Sequence, residues 1–353
     1  MRWILAGVAV LAQLAGAAGV QAQTPGEPVA EPRVWGVALT EENDFFDFYD
    51  DNSDRYYTQG VKLSVLSWDL TRGILPDLLR DIAPLRGASV YTAAGVGQHM
   101  YTPEDLLIPA PDPQDRPYAG WAYLSSAAFA SDPNNLYSLE AQLGVVGPSA
   151  HAGEAQNGLH RLKEAAESLG WDHQLKDEPG FNLYAEHRRK LWGYAPAGRD
   201  KGILELLAVR TLAIGTVETS VGAGFIGRIG YNLGQDFGPQ RLRPGAAGAD
   251  FFEGGEDAFY FFGGVHARAV VHDVFLDGNV FRDSPSVDKK FMVPEWTLGV
   301  TWTTGKLWYT DRRMPPIRIS YAHVWQGEQF MGQNGPLEYG SLTFAFTTAG
   351  LSR

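Results

Sequence analysis

Along the C-terminal part of the chain, apolar and polar residues alternate almost one by one. In 295–303, Trp296, Leu298, Val300 and Trp302 share one face, while Glu295, Thr297, Gly299, Thr301 and Thr303 share the other. In 316–325, Ile317, Ile319 and Tyr321 alternate with Arg318, Ser320 and Ala322; in 339–346, Leu342, Phe344 and Phe346 alternate with Ser341, Thr343 and Ala345. Side chains leave a strand on alternate sides, so each stretch predicts a strand with one apolar and one small or polar face. Further predicted strands are 35–42, 57–67, 90–101, 121–129, 135–146, 181–191, 203–213, 217–228 and 258–272. With 292–303, 316–325 and 339–347 they make twelve, an even number. Their lengths cluster near the ~9–11 residues that cross a bilayer obliquely. Trp68, Tyr101, Trp121, Trp192, Trp308, Tyr309 and Trp325 stand at segment ends, as interfacial aromatic girdles require.

Strands in hydrocarbon must close on themselves, because an open edge would strand unpaired N–H and C=O groups there. A soluble sandwich or lipocalin-like barrel would alternate as well, with its apolar faces inward, and alternation alone does not say which face is outside. The small and polar opposite faces favour the membrane. The expected class is therefore all-β, a twelve-stranded antiparallel transmembrane β-barrel. Many such barrels end on an aromatic residue, whereas Phe346 is followed here by 347–353. One stretch breaks the pattern. In 154–169, Leu159, Leu162, Ala166 and Leu169 recur at helical spacing, with Gln156, His160 and Glu164 on a different face. Lying between two predicted strands, it reads as a short helix in an outer loop, packed on the barrel rim or wall.

The start of the chain changes the compartment. Arg2, the uncharged run 3–20 and the small residues Val20 and Ala22 form the pattern of a secretory leader, expected to be removed after residue 22. The competing membrane anchor is disfavoured by that cleavage pattern and by the polar, Pro-containing stretch that follows. Residues 23–34 read as a linker and 35–353 as one barrel domain. No later window offers 18 residues free of charges and turn formers, which excludes an α-helical membrane protein. The chain has 41 Gly and 21 Pro, suiting many turns, and no Cys, so no disulfide scaffold holds it. Its net charge of −12 becomes −13 without Arg2, which excludes a general attraction for nucleic acid or anionic surfaces.

Four patches carry candidate chemistry. The first is Glu41-Glu42-Asn43-Asp44-Phe45-Phe46, followed by the acidic run 47–54; the second is Asp54-Arg55-Tyr56-Tyr57-Thr58-Gln59-Gly60. The third is Asp115-Arg116-Pro117-Tyr118-Ala119-Gly120-Trp121. The fourth runs from Gly144-Val145-Val146-Gly147-Pro148 through Gln156-Asn157-Gly158-Leu159-His160 to the stretch 170–180. Each has a plainer reading: a loop-helix histidine is usually solvated, an acidic run is usually a solvated loop, and Asp115-Arg116 can close a turn. The run 47–54 resembles the start of an EF-hand, but Arg55 and Val61 stand where that loop needs Gly and Glu, which rejects the motif.

Taken in order over almost the whole chain, these stretches resemble the lipid A 3'-O-deacylases of the outer membrane. The resemblance implies a twelve-stranded barrel and an active site between the wall and a loop helix near the outer surface. It also implies calcium-dependent removal of the acyl group at the 3' position of lipid A. Matched motif by motif, the family's active-site Asn and Asp fall on Asn43 and Asp44, its strand-two Thr or Ser on Thr58, and its helix Gln and His on Gln156 and His160. Some members carry a Glu six residues after that His. Here the position is Ala166, so either Glu164 or Glu167 replaces it beside Asp44 in the metal shell, or the shell differs.

The residues' own chemistry is compatible. A histidine beside an ester can take a proton from water, and Gln156, one turn earlier, or a carboxylate can orient its ring. Asp44 and neighbouring oxygens suit Ca²⁺, a hard cation able to stabilise an oxyanion. No Gly-x-Ser-x-Gly elbow is present. Arg116 is a candidate for a lipid A phosphate. His187, His266, His272 and His323 read as lumen-facing strand residues. The expected partners are lipid A or lipopolysaccharide and outer-membrane lipids, with no nucleic acid, the chain acting as a monomer in the outer membrane of a Gram-negative bacterium. Two other functions stay open: a non-catalytic barrel that binds or passes a solute, and a phospholipase acting on glycerophospholipids.

Overall fold

A computed structural model describes residues 34–44, 55–67, 73–82, 89–197, 202–233, 236–238, 257–306 and 313–347. The predicted leader, all of the linker except Val34, the acidic run 47–54, Trp68, Trp308, Tyr309 and 348–353 lie outside them. The strands are β1 (Val34–Asn43), β2 (Tyr56–Ser67), β3 (Ser89–Thr102), β4 (Ala119–Ser131), β5 (Asn135–Val146) and β6 (Glu178–Tyr194). They continue with β7 (Gly202–Gly215), β8 (Glu218–Leu233), β9 (Ala258–Asp273), β10 (Met292–Lys306), β11 (Arg313–Gln326) and β12 (Leu337–Thr347). Each pairs antiparallel with its sequence neighbours, and β1 pairs with β12, so the sheet closes into a twelve-stranded barrel. Among the described residues, three α-helices decorate it: α1 (Ile74–Ile82), α2 (Ala152–Lys163) and the four-residue α3 (Val274–Asp277). No described helix is long and apolar enough to cross a membrane.

The structure settles which face is outside. On β10, Trp296, Leu298 and Trp302 are exposed while Glu295, Thr297, Thr301 and Thr303 are buried. The same holds for Phe344 and Phe346 against Ser341, Thr343 and Ala345 on β12. Apolar side chains thus cover the outer wall and polar ones fill the lumen, the reverse of a lipocalin and the arrangement a bilayer demands. Described strand cations inside are paired: Lys62 with Glu140, Arg228 with Glu205 and Asp236, Arg268 with Glu218 at 2.6 Å, and Arg318 with Asp236 at 2.7 Å. Buried charges survive where such partners offset their desolvation.

At the end where β1 finishes and β2 begins, the mouth is filled by aromatics. Tyr57, Tyr101, Trp121 and Tyr339 point inward and pack with Phe275 of α3 and with Phe330. Tyr101 stacks on Phe275 with ring centroids 4.1 Å apart. Tyr101 and Trp121 are therefore not girdle residues, whereas Trp192 is 56% exposed on the outer wall. The histidines also need correcting. His266 faces the lumen, beside Thr211, but His187 and His323 occupy outward positions, and His272 sits at the rim with Nε2 donating to the Thr216 carbonyl. Bulges between Lys190 and Trp192, and between Thr219 and Ser220, shift strand phase, so an even or odd position does not carry across them.

Candidate active site

The strand half of the site is built at the ends of β1 and β2. Alternation turns Glu42 inward, where it accepts from Tyr57 OH at 2.9 Å and Ser341 Oγ at 3.2 Å, and turns Asn43 outward, where it is nonetheless buried. Asp44 follows the strand; one of its carboxylate oxygens accepts from the Arg55 backbone N–H at 3.1 Å, closing the base of the β1–β2 connection. Tyr57 pairs with Tyr101 and Gln59 with Met100, so Thr58 is the extra residue of a bulge. Bulges re-aim side chains, and this one brings the Thr58 hydroxyl 2.8 Å from that of Thr102. Beside it Tyr56 holds a left-handed φ of 67°, a conformation unfavourable for an aromatic residue. It is fixed there by edge contact with Phe330, 5.7 Å between centroids, and by the Asn334 N–H donating to its hydroxyl.

The helix half comes from the β5–β6 connection. Gly147 turns the chain at φ 108°, where a Cβ would stand 2.6 Å from the Asp177 nitrogen. Helix α2 then lies on the outer wall, so close that a Cβ on Gly120 of β4 would stand 2.7 Å from that of Ala152. Its buried residues, Ala152, Gly153, Gln156 and His160, form one helical face. Of the expected apolar positions, Leu159 is half-buried, Leu162 is 84% exposed, and Leu169, beyond the end of the helix, is 51% exposed. Helix α2 also stops at Lys163, short of the expected end, because Glu164 takes a left-handed cap conformation at φ 56°. The docked face thus joins two small residues that allow close approach with two polar ones, while the outward face carries Glu154, Arg161 and Lys163 beside Leu162.

Two contacts orient the docked polar residues. Trp171 Nε1 donates to Gln156 Oε1 at 2.8 Å, so the other end of that amide, its NH₂, is the end that donates. His160 Nδ1 lies 2.5 Å from the main-chain oxygen of Ala166. A carbonyl only accepts, so Nδ1 carries a proton, and in the neutral ring Nε2 is the lone-pair nitrogen. Asn157 bonds both main-chain groups of Ser168, which holds the returning segment under the ring. Ala166 thus reaches the histidine without any side-chain oxygen.

The ladder relates the two halves. Asn43 pairs with Gln59, Gln59 with Met100, and Met100 with Gly120, one outward-facing row across four strands. Ala152 rests on the last of these, so the buried face of α2 lies over the same outer wall, at the same end, as Asn43 and Thr58. At ~4.8 Å per strand the row spans about 14 Å, less than the ~18 Å length of a 12-residue helix.

Other expected residues fall elsewhere. Glu164 and Glu167 are exposed, and Glu167 pairs with Arg161 at 2.8 Å on the helix's far side, so neither is brought to Asp44. Arg116 is fully buried with its guanidinium 4.6 Å over the Tyr101 ring, at the mouth rather than on the wall. Its neighbour Asp115 accepts from the Glu104 and Arg116 N–H groups; burial raises its pKa above the ordinary carboxylate value, against the lowering effect of those bonds and of the Arg116 charge. Among the described residues no group of three His, Asp or Glu side chains could hold a metal. The oxygens of Asp44, Asn43 and Thr58 suit a calcium ion, which also accepts amide, main-chain and water oxygens; Glu164 and Glu167 do not fit. Sequence reasoning gave no role to Trp171, Asn157, Ala166 or Thr102. Trp171 and Asn157 lay inside quoted motifs, which was the available signal.

A family model described as outer membrane protein LpxR matches residues 4–348. No curated protein matches the chain in sequence. Among solved structures, LpxR from Salmonella typhimurium aligns over 88% of this chain and 99% of its own, at 19% identity and a TM-score of 0.67, and shares the fold. A bacterial polysaccharide outer membrane secretin aligns over 89% of this chain and 98% of its own, at 9% identity and a TM-score of 0.31. The transport unit of the autotransporter AIDA-I from Escherichia coli aligns over 95% and 96%, at 8% identity and a TM-score of 0.28.

Proposed function

Because the chain belongs to the LpxR family of outer-membrane proteins, and so to the Gram-negative outer membrane, we propose that it is a lipid A deacylase hydrolysing the acyl ester at the 3' position. The observation that carries the mechanism is the His160–Ala166 contact on the docked face of α2. With Nδ1 donating to a carbonyl, Nε2 is the base. It removes a proton from a water as that water attacks the ester carbonyl, then returns it to the sugar oxygen as the C–O bond breaks. Free fatty acid and a sugar hydroxyl are the products. The Gln156 NH₂, oriented by Trp171, donates toward the developing oxyanion. Asn43 and Thr58 position the ester from the wall. Asp44, with the Asn43 oxygen, would hold a Ca²⁺ ion, which supplies charge stabilisation for the oxyanion. Arg116 is not carried into this mechanism, since it is sealed beneath Tyr101. The aromatic mouth argues against solute passage.

The test is release of fatty acid from lipid A by the purified, folded barrel, followed by mass spectrometry, with a glycerophospholipid assayed alongside. The native chain is expected to deacylate lipid A, and His160→Ala to lose about 10²–10⁴-fold in rate while keeping its folded barrel. Normal deacylation by that variant would end the mechanism; hydrolysis of the phospholipid alone would end the substrate assignment.

A further inference from the structure

Among strand residues whose side chains are described, Lys62, Arg188, Lys190, Arg228, Arg268 and Arg318 all point into the lumen and pair with carboxylates. The remaining two cations, Arg189 of β6 and Arg210 of β7, are exposed on the outer wall, and neither makes an ion pair with a described carboxylate. They are not scattered. His187 pairs across the ladder with Arg210, and Arg189 lies two residues further along β6 on the same face. Such diagonal neighbours stand about 7–8 Å apart at their backbones.

One guanidinium is held from behind. Arg210 Nη1 donates to His187 Nδ1 at 3.2 Å; His187 Nε2 donates to Asn135 Oδ1 at 3.1 Å; the Asn135 amide donates to Asp132. Arginine only donates, so His187 is neutral and passes its other N–H down the chain. The ring is stacked on Tyr137, centroids 4.2 Å apart. Asn135 opens β5 directly after the short turn that follows β4, and it pairs with Arg189, so on this side the patch lies at the barrel's edge opposite α2. Exposed Leu191, Trp192 and Phe225 surround it with apolar surface.

Two unneutralised guanidiniums in an apolar wall are unfavourable unless an anion meets them. Their forks suit phosphate oxygens, and basic clusters at a membrane boundary recruit anionic head groups. We infer that Arg189 and Arg210, the latter braced by His187, Asn135 and Asp132, form a binding site for the phosphate of a glycerophospholipid in the leaflet at the end opposite the loop helix. The acyl tails would lie on the apolar surface around Trp192 and Phe225. This site is independent of the proposed ester chemistry.

Native mass spectrometry of the full chain released from detergent tests it, with phosphatidylglycerol as the probe, and diacylglycerol and inorganic phosphate as comparisons. Phosphatidylglycerol is expected to remain bound, diacylglycerol not to, and inorganic phosphate at equal concentration not to displace the lipid. Arg189→Gln leaves the Arg210–His187–Asn135–Asp132 chain intact and is expected to weaken lipid binding roughly tenfold, the equivalent of losing one charged contact. Should Arg189→Gln not fold, Arg189→Lys, which keeps charge but not the fork, is expected to show a smaller loss. Equal retention of diacylglycerol, displacement by inorganic phosphate, or unchanged binding in the folded Arg189 variant would each overturn the site.

Discussion

Asn157 and Ser168 hold each other by two hydrogen bonds: the Ser168 N–H donates to Asn157 Oδ1 at 2.8 Å, and Asn157 Nδ2 donates to the Ser168 carbonyl at 3.1 Å. The pair folds the segment after α2 back under the helix, and two residues earlier on that segment Ala166 offers its oxygen to His160. A surface-looking amide therefore governs the direction of an imidazole it does not touch.

Replacing Asn157 with Ala removes both bonds, at a cost of about 1–3 kcal/mol to the local segment. Fatty-acid release should slow roughly tenfold through kcat, with KM little changed, because the lipid still meets the same wall. A rise in KM alone would mean that Asn157 shapes binding and not the base.

Gly120→Val places bulk where Ala152 already lies 2.7 Å from any Cβ. Helix α2 should lift from the wall and deacylation should vanish. The barrel's resistance to unfolding should stay near native, since the helix is an addition to a closed ladder. Retained activity would show that the helix need not dock.

Chelation with EGTA should abolish activity, and Ca²⁺ should restore it better than the smaller, geometrically stricter Mg²⁺. Asp44→Asn, keeping the Arg55 N–H partner but losing charge, should cost on the order of 10²-fold in rate. Activity indifferent to EGTA would remove the metal from the mechanism.

Lys62 and Glu140 form a buried lumen pair. Breaking it with Glu140→Gln should destabilise the barrel by about 3–5 kcal/mol, measured by denaturant unfolding in lipid. Lys62→Met combined with Glu140→Leu should recover most of that loss, because the cost lies in an uncompensated charge. Equal destabilisation by the double variant would point to the hydrogen bonds instead.

The twelve strands were legible because a bilayer imposes a length, and one-by-one alternation survives wherever one face meets lipid. Their ends ran further than read, as in β6, where 178–180 and 192–194 lack a clear apolar partner in sequence but continue the ladder. The periodicity of 154–169 announces helix α2, but it does not say which face docks: the buried residues are Ala152, Gly153, Gln156 and His160, and two of those four are polar. Helix α1 is not read from the sequence: its nine residues are amphipathic, but they are few and hold Pro76 in the first turn, and Leu79 packs on Ala128, Ala130 and Leu139. The wall residues of the site came from resemblance, since nothing in Asn43 or Thr58 alone announces chemistry. Ala166 was beyond reach of any side-chain reading, its contribution being a main-chain oxygen.

On the proposed function, the outward turn of Leu162 bears on how substrate reaches the site. Leu162 stands on the face of α2 turned away from the barrel, among the charged Glu154, Arg161 and Lys163, so that face offers head groups charged partners and acyl chains one apolar foothold. On that function a lipid tail moves along the wall toward the imidazole. Turnover by that path would be governed by the two-dimensional concentration and packing of lipids in the leaflet. Stiffening the leaflet would throttle turnover even with every polar contact of the site intact.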